Sequence, residues 1–249
     1  MRSDRVSLVR SGIAVAWLLA GVPTAAHADW LASGYFGDLW TRPSQVTLTL
    51  PALQTAIELD GVRYRGESFR SPQYYGYRVS WIPDAHPWIG VEFEVVHAKV
   101  FARTEEAVPT RGTIRGVPVN TVQPISLVAQ RLVMSHGLNF LFFNLAVRRG
   151  IGEPDARGVR RLALVFRGGA GPTVPHIEST VDHVNLEQYE GGGPAVQGTA
   201  GVELRVWRRL GVLGEYKYTR ATPHVAVAGG EAVIPARSHH LVTGLTARF

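Results

Sequence analysis

The 249-residue chain contains no cysteine, so no disulfide bond can stabilise it. A chain of this length can form a hydrophobic core without disulfides, and this absence therefore excludes little. Beyond residues 1–28 the chain also lacks any apolar run of the roughly 20 residues that a membrane-spanning helix needs. Neither an internal repeat nor a second domain is visible. A bundle of membrane helices is therefore excluded.

A long basic arm is missing as well. The formal net charge is +6, and a positively charged chain can bind nucleic acid. Its basic residues are, however, mostly isolated among apolar ones. We therefore expect no nucleic acid partner, and expect anionic lipid or lipopolysaccharide instead.

The N-terminus has the pattern of a secretory signal peptide. It begins with the basic segment MRSDRVSLVR, continues with the apolar segment GIAVAWLLAGV and reaches AHA just before Asp29. The apolar segment is too short to span a bilayer, which needs roughly 20 residues, and the order of the three parts is that of a cleaved leader. We predict a signal peptide at residues 1–28 and one mature domain at residues 29–249.

Alternation between polar and apolar residues dominates the mature chain. Between Val196 and Trp207, for example, Gln197 and Glu203 share one face of a predicted strand, whereas Leu204 lies on the other. Eight runs of this kind occur, at residues 30–40, 72–83, 88–101, 136–149, 160–176, 195–207, 209–222 and 239–249.

The connections between these runs alternate in length. The short ones are 83–87, 150–158 and 208–209, and the long ones are 41–71, 102–135, 177–194 and 223–238. An even strand number with short turns on one side and long loops on the other is typical of outer-membrane barrels. We predict an all-β fold: an eight-stranded antiparallel transmembrane β-barrel in the outer membrane of a Gram-negative bacterium, with short periplasmic turns and long extracellular loops. A periplasmic β-sandwich or a lipocalin-like protein is the alternative.

The last predicted strand, LVTGLTARF, ends on an aromatic residue. Leu241, Leu245 and Phe249 share the face that would meet lipid, and His240 and Val242 share the other. Because a barrel in lipid leaves no strand edge unpaired, this strand should pair with the first one. A terminal aromatic on such a strand resembles the assembly signal of outer-membrane barrels.

Charged residues on the inward faces should fill the barrel, because an eight-stranded barrel has little room for a channel. A general diffusion pore is therefore not expected. The residues concerned are Arg78, Glu92 or Glu94, Arg148, Arg167, Glu203, Arg205 and Arg248. The aromatic residues that fit interfacial girdles are Trp81, Trp88, Trp207, Tyr216 and Tyr218.

Polar residues with metal-ligand chemistry occur near the predicted outer ends of four strands. His97, His136, His176 and Glu178 are a plausible ligand set for a divalent metal ion. No compact motif such as H-E-x-x-H is present, and the alternative is that these histidines contact lipid headgroups or water. A hydrolase using Ser135 or Ser179 is a further alternative, but the chain has no nucleophile elbow.

Several segments resemble, in order, the lipid A oxidase family of Gram-negative outer membranes. These segments are SPQYYGYRVSW, IGVEFEVVHAKVFA, HGLNFLFFNLAVRR, GGAGPTVPHIE, GPAVQGTAGVE and LGEYKYT. The resemblance covers most strands and not the long loops, and FEVVHAK carries one residue more before His97 than the family pattern. It implies an eight-stranded barrel that uses O2 to oxidise the proximal glucosamine of lipid A to 2-aminogluconate.

The positions that match the family are His97, Lys99, His136, Asn139, His176, Glu178, Glu215 and Lys217. We expect all of them near the outer rim, where lipid A lies. Glu215, His136 and His176 are the predicted catalytic residues, and Lys99, Lys217 and Asn139 the predicted substrate-binding residues. A divalent metal of unknown identity would be bound by His97, His136, His176 and Glu178, with molecular oxygen as co-substrate. A monomer is expected. The competing hypothesis is a non-catalytic barrel for adhesion, envelope integrity or small-ligand binding.

Overall fold

The computed structural model describes residues 28–155 and 160–249. In chain order the strands of these residues are β1 (Ala28–Thr41), β2 (Ser44–Leu50), β3 (Thr55–Val62), β4 (Tyr64–Arg65), β5 (Tyr75–Pro83), β6 (Ile89–His97), β7 (Val100–Ala102), β8 (Ala107–Ile114), β9 (Val117–Pro124), β10 (Ala129–Met134), β11 (Leu138–Pro154), β12 (Arg160–Val181), β13 (Val184–Tyr189), β14 (Gly193–Arg205), β15 (Leu210–Ala221), β16 (His224–Val227), β17 (Gly230–Val233) and β18 (Ala236–Arg248). Two short 3-10 helices, Pro51–Leu53 and Ile125–Leu127, join them. In the described residues no helix is long and apolar enough to cross a membrane.

Eight long strands close into an antiparallel barrel. Their order is β11, β6, β5, β1, β18, β15, β14 and β12, and β12 pairs with β11 to complete the ring. The last strand pairs with the first from Leu31 opposite Arg248 to Thr41 opposite Ser238. The predicted eight-stranded barrel is therefore confirmed, and the β-sandwich alternative is wrong. The predicted signal peptide lies outside the described residues except for Ala28, and it stays a prediction.

The two faces of the barrel differ as the alternation predicts. Leu204 and Leu245 are 47% and 64% exposed on the outer surface, whereas Arg78 and Lys217 are 1% and 0% exposed inside. Trp88 and Trp207 are exposed and lie beside the short turns, at the end of the barrel that would meet the periplasmic interface. An apolar outer face with aromatic residues toward its ends is what a barrel presents to a bilayer.

The long connections contain regular β-structure, which the sequence analysis did not address. Strands from three of them form a second sheet of six strands in the order β16, β17, β2, β3, β8 and β9. Alternate residues of β2 and β3 are buried, including Leu48 and Ile57 at 1% exposure each. The predicted long loops 41–71, 102–135 and 223–238 therefore contain strands of their own, because β2 and β3 have an apolar face to bury.

The second sheet continues the apolar core from the outer end of the barrel. Tyr74, which directly precedes β5, and Phe140 and Phe142 of β11 are at most 1% exposed and belong to the same buried cluster as Leu48 and Ile57. The lumen is thus covered by packed apolar side chains at this end. A general diffusion pore is not what this architecture provides, in agreement with the sequence.

Candidate functional site

The middle of the lumen contains a network of buried ion pairs, which we call the lumen network. Glu94, fully buried, accepts hydrogen bonds from Arg78 Nη2 at 2.6 Å, from Lys217 Nζ at 2.6 Å and from Tyr35 Oη at 2.5 Å. The amide group of Asn144 donates to its other oxygen at 2.9 Å. One carboxylate therefore faces two cations, and a second carboxylate is needed to balance the charge.

Glu215 supplies part of that balance. Its two oxygens lie 2.9 Å from Arg78 Nη2 and 2.6 Å from Arg167 Nη1. Arg167 also pairs with Glu92 at 2.7 Å and with Glu203 at 2.9 Å. With Arg148, which pairs with Glu203, the network consists of four cations and four carboxylates. It is electrically neutral, as buried charges require.

The expectation that Glu215 and Lys217 lie at the outer rim with the histidines is wrong. Both face the lumen, as the alternation predicts, but they are 3% and 0% exposed and engaged in the lumen network. Alternation fixes which face a side chain is on, whereas depth along the strand depends on where that strand crosses the membrane. Neither side chain is open to a lipid outside the barrel.

A second group of polar residues lies at the end that carries the long connections. His136 belongs to the turn between β10 and β11, His176 and Glu178 lie on β12 just after Pro175, and Glu187 lies on β13. One ligand atom from each of the four residues lies within 4.8 Å of all the others. We call these four residues the outer cluster.

The contacts inside the outer cluster are close. His176 Nε2 lies 3.3 Å from Glu187 Oε1, and His136 Nδ1 lies 3.6 Å from Glu178 Oε1. The two imidazole rings meet edge to face with their centroids 4.6 Å apart. Around a tetrahedral ion with bonds of roughly 2.1 Å, neighbouring ligand atoms are about 3.4 Å apart. The donor set of two imidazoles and two carboxylates therefore fits a borderline divalent cation such as zinc, iron or manganese.

Glu178 and Glu187 are directly opposite each other on the antiparallel pair β12 and β13. Like charges at this spacing destabilise a sheet unless a cation lies between them or a partner offsets them. Arg131 Nη2 offsets one of them, at 2.5 Å from Glu178 Oε2, and Ser135 donates a hydrogen bond to the other oxygen. Burial raises the pKa of Glu178, but Ser135 and Arg131 outweigh it, so that pKa lies below its ordinary value. The carboxylate form, which binds metals, is favoured.

The turn that carries His136 is held in place by backbone and amide contacts. Gly137 has a φ of +95°, and a Cβ there would lie 2.6 Å from Asn139 Oδ1. Asn139 Nδ2 donates to the carbonyl of Val174 at 3.0 Å, and the backbone N–H of His176 donates to the carbonyl of Gly137 at 3.0 Å. Asn139, predicted to bind substrate, is thus placed where it orients the cluster.

His97 and Lys99 are not part of the outer cluster. His97 is 4% exposed, its ring lies 4.8 Å from that of Tyr75, and its buried Nδ1 has no hydrogen-bond partner among the described residues. Lys99 is 3% exposed and donates to the carbonyl of Arg70 at 3.2 Å. Three of the four predicted metal ligands are therefore together, and His97 is not.

Glu187 is the candidate ligand that sequence reasoning missed. It lies in the connection 177–194, which was predicted to be a loop but contains the hairpin of β12 and β13. Asp182 and His183 form its two-residue turn with φ of 48° and 64°, typical of a type I′ turn. Apolar residues at Val181 and Val184 flank this turn, and that pattern was the available signal for the register that sets Glu187 opposite Glu178.

No protein-family model and no curated protein matches the chain. Among solved structures it is similar to Neisserial surface protein A, with 8% identity, 89% of this chain and 97% of that chain covered, and a TM-score of 0.42. It is also similar to the outer membrane protein OprG from Pseudomonas aeruginosa, with 11% identity, 90% and 97% covered, and a TM-score of 0.42. A third similar structure is the outer membrane protease OmpT from Escherichia coli, with 7% identity, 89% and 97% covered, and a TM-score of 0.44.

The chain is a β-barrel of the Gram-negative outer membrane. Its own features carry this conclusion: eight strands that close without an edge, an apolar outer face and a polar, paired interior. The turns at one end are short, and the connections at the other end are long and structured. In such barrels the long connections are extracellular, which places the outer cluster on the side of the outer leaflet.

Proposed function

We propose that this protein modifies lipid A in the outer leaflet and that a divalent metal ion held by the outer cluster is required. The observation that carries the metal part is the convergence of His136, His176, Glu178 and Glu187 within 4.8 Å. The choice of lipid A, and of O2-dependent oxidation of its proximal glucosamine to 2-aminogluconate, rests on the resemblance of the strand sequences to lipid A oxidases. The outer-membrane location agrees with that substrate.

The exposure of the cluster residues indicates a different role for His176 and for Glu187. His176 is 5% exposed and fixed by its backbone bond to Gly137, so it is an anchoring ligand. The side chain of Glu187 is 62% exposed, so it is the carboxylate that a sugar can reach. We assign to Glu187, in place of the buried Glu215, the acceptance of the proton from the sugar hydroxyl. A redox-active metal would supply the electron transfer that reaction with O2 requires.

The oxidation balances as a two-electron step. The substrate is lipid A whose C1 hydroxyl carries no phosphate. The C1–H and O–H bonds of this reducing-end hemiacetal break, O2 takes the two electrons and two protons as hydrogen peroxide, and a lactone remains. Water opens the lactone to the 2-aminogluconate. The acceptor is thus the O2 already expected as co-substrate, and no organic cofactor is needed.

Mass spectrometry of lipid A from cells with and without the protein tests this proposal. We expect a lipid A species heavier by one oxygen atom in cells that express the wild type, and none with His176→Ala or Glu178→Gln at equal amounts of folded barrel. A chelator in the assay should also abolish the product. The matched controls are His183→Asn, on the hairpin turn but outside the cluster, and Glu231→Gln, an exposed carboxylate of β17. Full product with His176→Ala would contradict the proposal.

A second candidate, a non-catalytic barrel, is favoured by one observation. The lumen network is neutral and buried, and its charges pair with each other rather than with a ligand. Such a lumen serves stability. If neither wild type nor any variant alters lipid A while the protein supports envelope integrity or adhesion, this second candidate is the better account.

A further inference from the structure

Two arginines face each other across neighbouring strands at the outer end of the barrel. Arg220 on β15 is directly opposite Arg237 on β18. Both are exposed, whereas the adjacent Thr219 and Ser238 are 1% exposed and face inward. The two guanidinium groups, which we call the arginine pair, therefore lie on the outer surface. Within the described part of the chain neither has an ion pair with a carboxylate.

Like charges at this spacing cost free energy, and an anion between them turns the cost into a gain. A third arginine lies beside them, because the backbone N–H of Arg42 donates to the carbonyl of Arg237 at 2.9 Å. Another exposed arginine has a carboxylate on the neighbouring strand: Arg111 on β8 is opposite Glu58 on β3. The arginine pair thus lacks the partner that other strands supply.

The depth of the arginine pair is set by the aromatic residues next to it. The Trp40 ring stacks on His239 with centroids 5.7 Å apart, and the Tyr218 ring lies 5.2 Å from the same imidazole. Tyr218 and His239 are opposite each other, two residues closer to the membrane centre than the arginines. Aromatic girdles mark the membrane interface, so the arginines lie at the level of the lipid phosphates.

An open groove of about 580 Å³ lies beside Arg220, at the outer ends of β14 and β15. Its walls include Gly191 and Ala195, and it also contains His224. Gly191 follows closely after Tyr189, whose ring lies 4.2 Å from that of His176. A lipid whose phosphate contacts Arg220 can therefore lie in this groove, whose wall at Gly191 is two residues from Tyr189.

We propose that Arg220 and Arg237 bind a phosphate of lipid A on the outer surface of the barrel. This inference rests on the proposed function, because it takes lipid A as the substrate. The arginine pair would supply the phosphate recognition that the buried Lys99 and Lys217 do not provide. The phosphate-binding chemistry itself needs no metal and no turnover. Binding is therefore measurable separately from oxidation.

The test measures dissociation constants of the barrel in detergent for bisphosphorylated lipid A, dephosphorylated lipid A, phosphatidylglycerol and inorganic phosphate. The variants are the double substitution Arg220→Gln with Arg237→Gln and, as matched control, Arg65→Gln with Arg111→Gln, two exposed arginines elsewhere. We expect the first double variant to bind bisphosphorylated lipid A at least about tenfold more weakly, since charge-assisted hydrogen bonds are lost. Its affinity for dephosphorylated lipid A should not change, and the control should match the wild type.

A second variant separates binding from folding. Arg237→Glu sets an opposite charge across from Arg220, so the urea midpoint of unfolding should equal or exceed that of the wild type while lipid A binding is lost. Equal affinity in the wild type and the first double variant would overturn the proposal, as would an equal loss in the control pair. Binding of phosphatidylglycerol or inorganic phosphate as tight as that of lipid A would overturn the assignment to lipid A.

The variant His176→Ala keeps the two proposals distinguishable. It should bind bisphosphorylated lipid A like the wild type, because the arginine pair is intact. Wild-type barrel that binds, through the arginine pair, a lipid A with a phosphate at C4′ and a free hydroxyl at C1, but never oxidises it, would contradict the proposed function alone.

Discussion

The lumen network and the outer cluster both bring carboxylates close together, but only one of them is balanced. In the lumen four carboxylates face four cations, and Glu94 and Glu215 each lie within 4.0 Å of both Arg78 and Lys217. In the outer cluster Glu178 and Glu187 face each other across two strands, with Arg131 as the cation of the group. The balanced set stabilises the barrel, whereas the unbalanced set has the charge and geometry to bind a cation. Glutamate carboxylates thus stabilise the barrel in the lumen, whereas in the outer cluster they repel each other unless a cation lies between them.

Removing one lumen carboxylate should have the largest effect. Glu94→Gln removes from a buried site the carboxylate that lies 2.6 Å from both Arg78 and Lys217, which should cost about 3–5 kcal/mol of unfolding free energy. Urea unfolding of barrel refolded into lipid vesicles measures it.

The control is Glu231→Gln, an exposed carboxylate that should change stability by no more than about 0.5 kcal/mol. A loss below about 1 kcal/mol for Glu94→Gln would mean that the lumen network is not what holds the barrel together.

Removing a ligand of the outer cluster should affect metal binding and not stability. His176→Ala and Glu178→Gln should each weaken binding of a divalent metal by on the order of 100-fold, because one of four donors is lost. Unfolding of the metal-free barrel should stay within about 1 kcal/mol of the wild type. Metal titration of the refolded protein checks the first quantity and urea unfolding the second. If these variants strongly destabilise the barrel and leave its metal affinity unchanged, the outer cluster stabilises the fold and does not bind metal.

The smallest effect has the most informative sign. Without metal, Glu187→Gln removes a like charge directly opposite Glu178, so the metal-free barrel should gain about 0.2–1 kcal/mol. With metal present the same variant should be less stable than the wild type, because it lacks a charged ligand. A loss of stability in both conditions would show that Glu187 is a structural partner of His176.

Residue patterns predicted the barrel but not its outer half. Alternation identified all eight barrel strands, because every one of them has a lipid face and a lumen face. The same alternation in β2 and β3 was overlooked among prolines and glycines, and the pairing of β3 with β8 joins segments far apart in the sequence. Such long-range pairing depends on how the barrel places its connections.

The candidate site was predicted in part for a related reason. His136, His176 and Glu178 follow from metal-ligand chemistry near the strand ends, and the structure brings them together. Placing Glu187 in the cluster requires the register of the β12–β13 hairpin. Placing Glu215 and Lys217 in the lumen network requires their depth along β15. A one-dimensional pattern gives the face of a residue but neither of these quantities.

The metal content of the purified barrel tests the central claim most directly. Barrel refolded with iron or manganese, which are redox-active, and then freed of excess ion, should retain close to one equivalent of one of these metals in the wild type. The double variant His176→Ala with Glu178→Gln should retain none, although it folds into the same barrel. A wild type that retains no metal, or a double variant that retains as much as the wild type, would contradict the account.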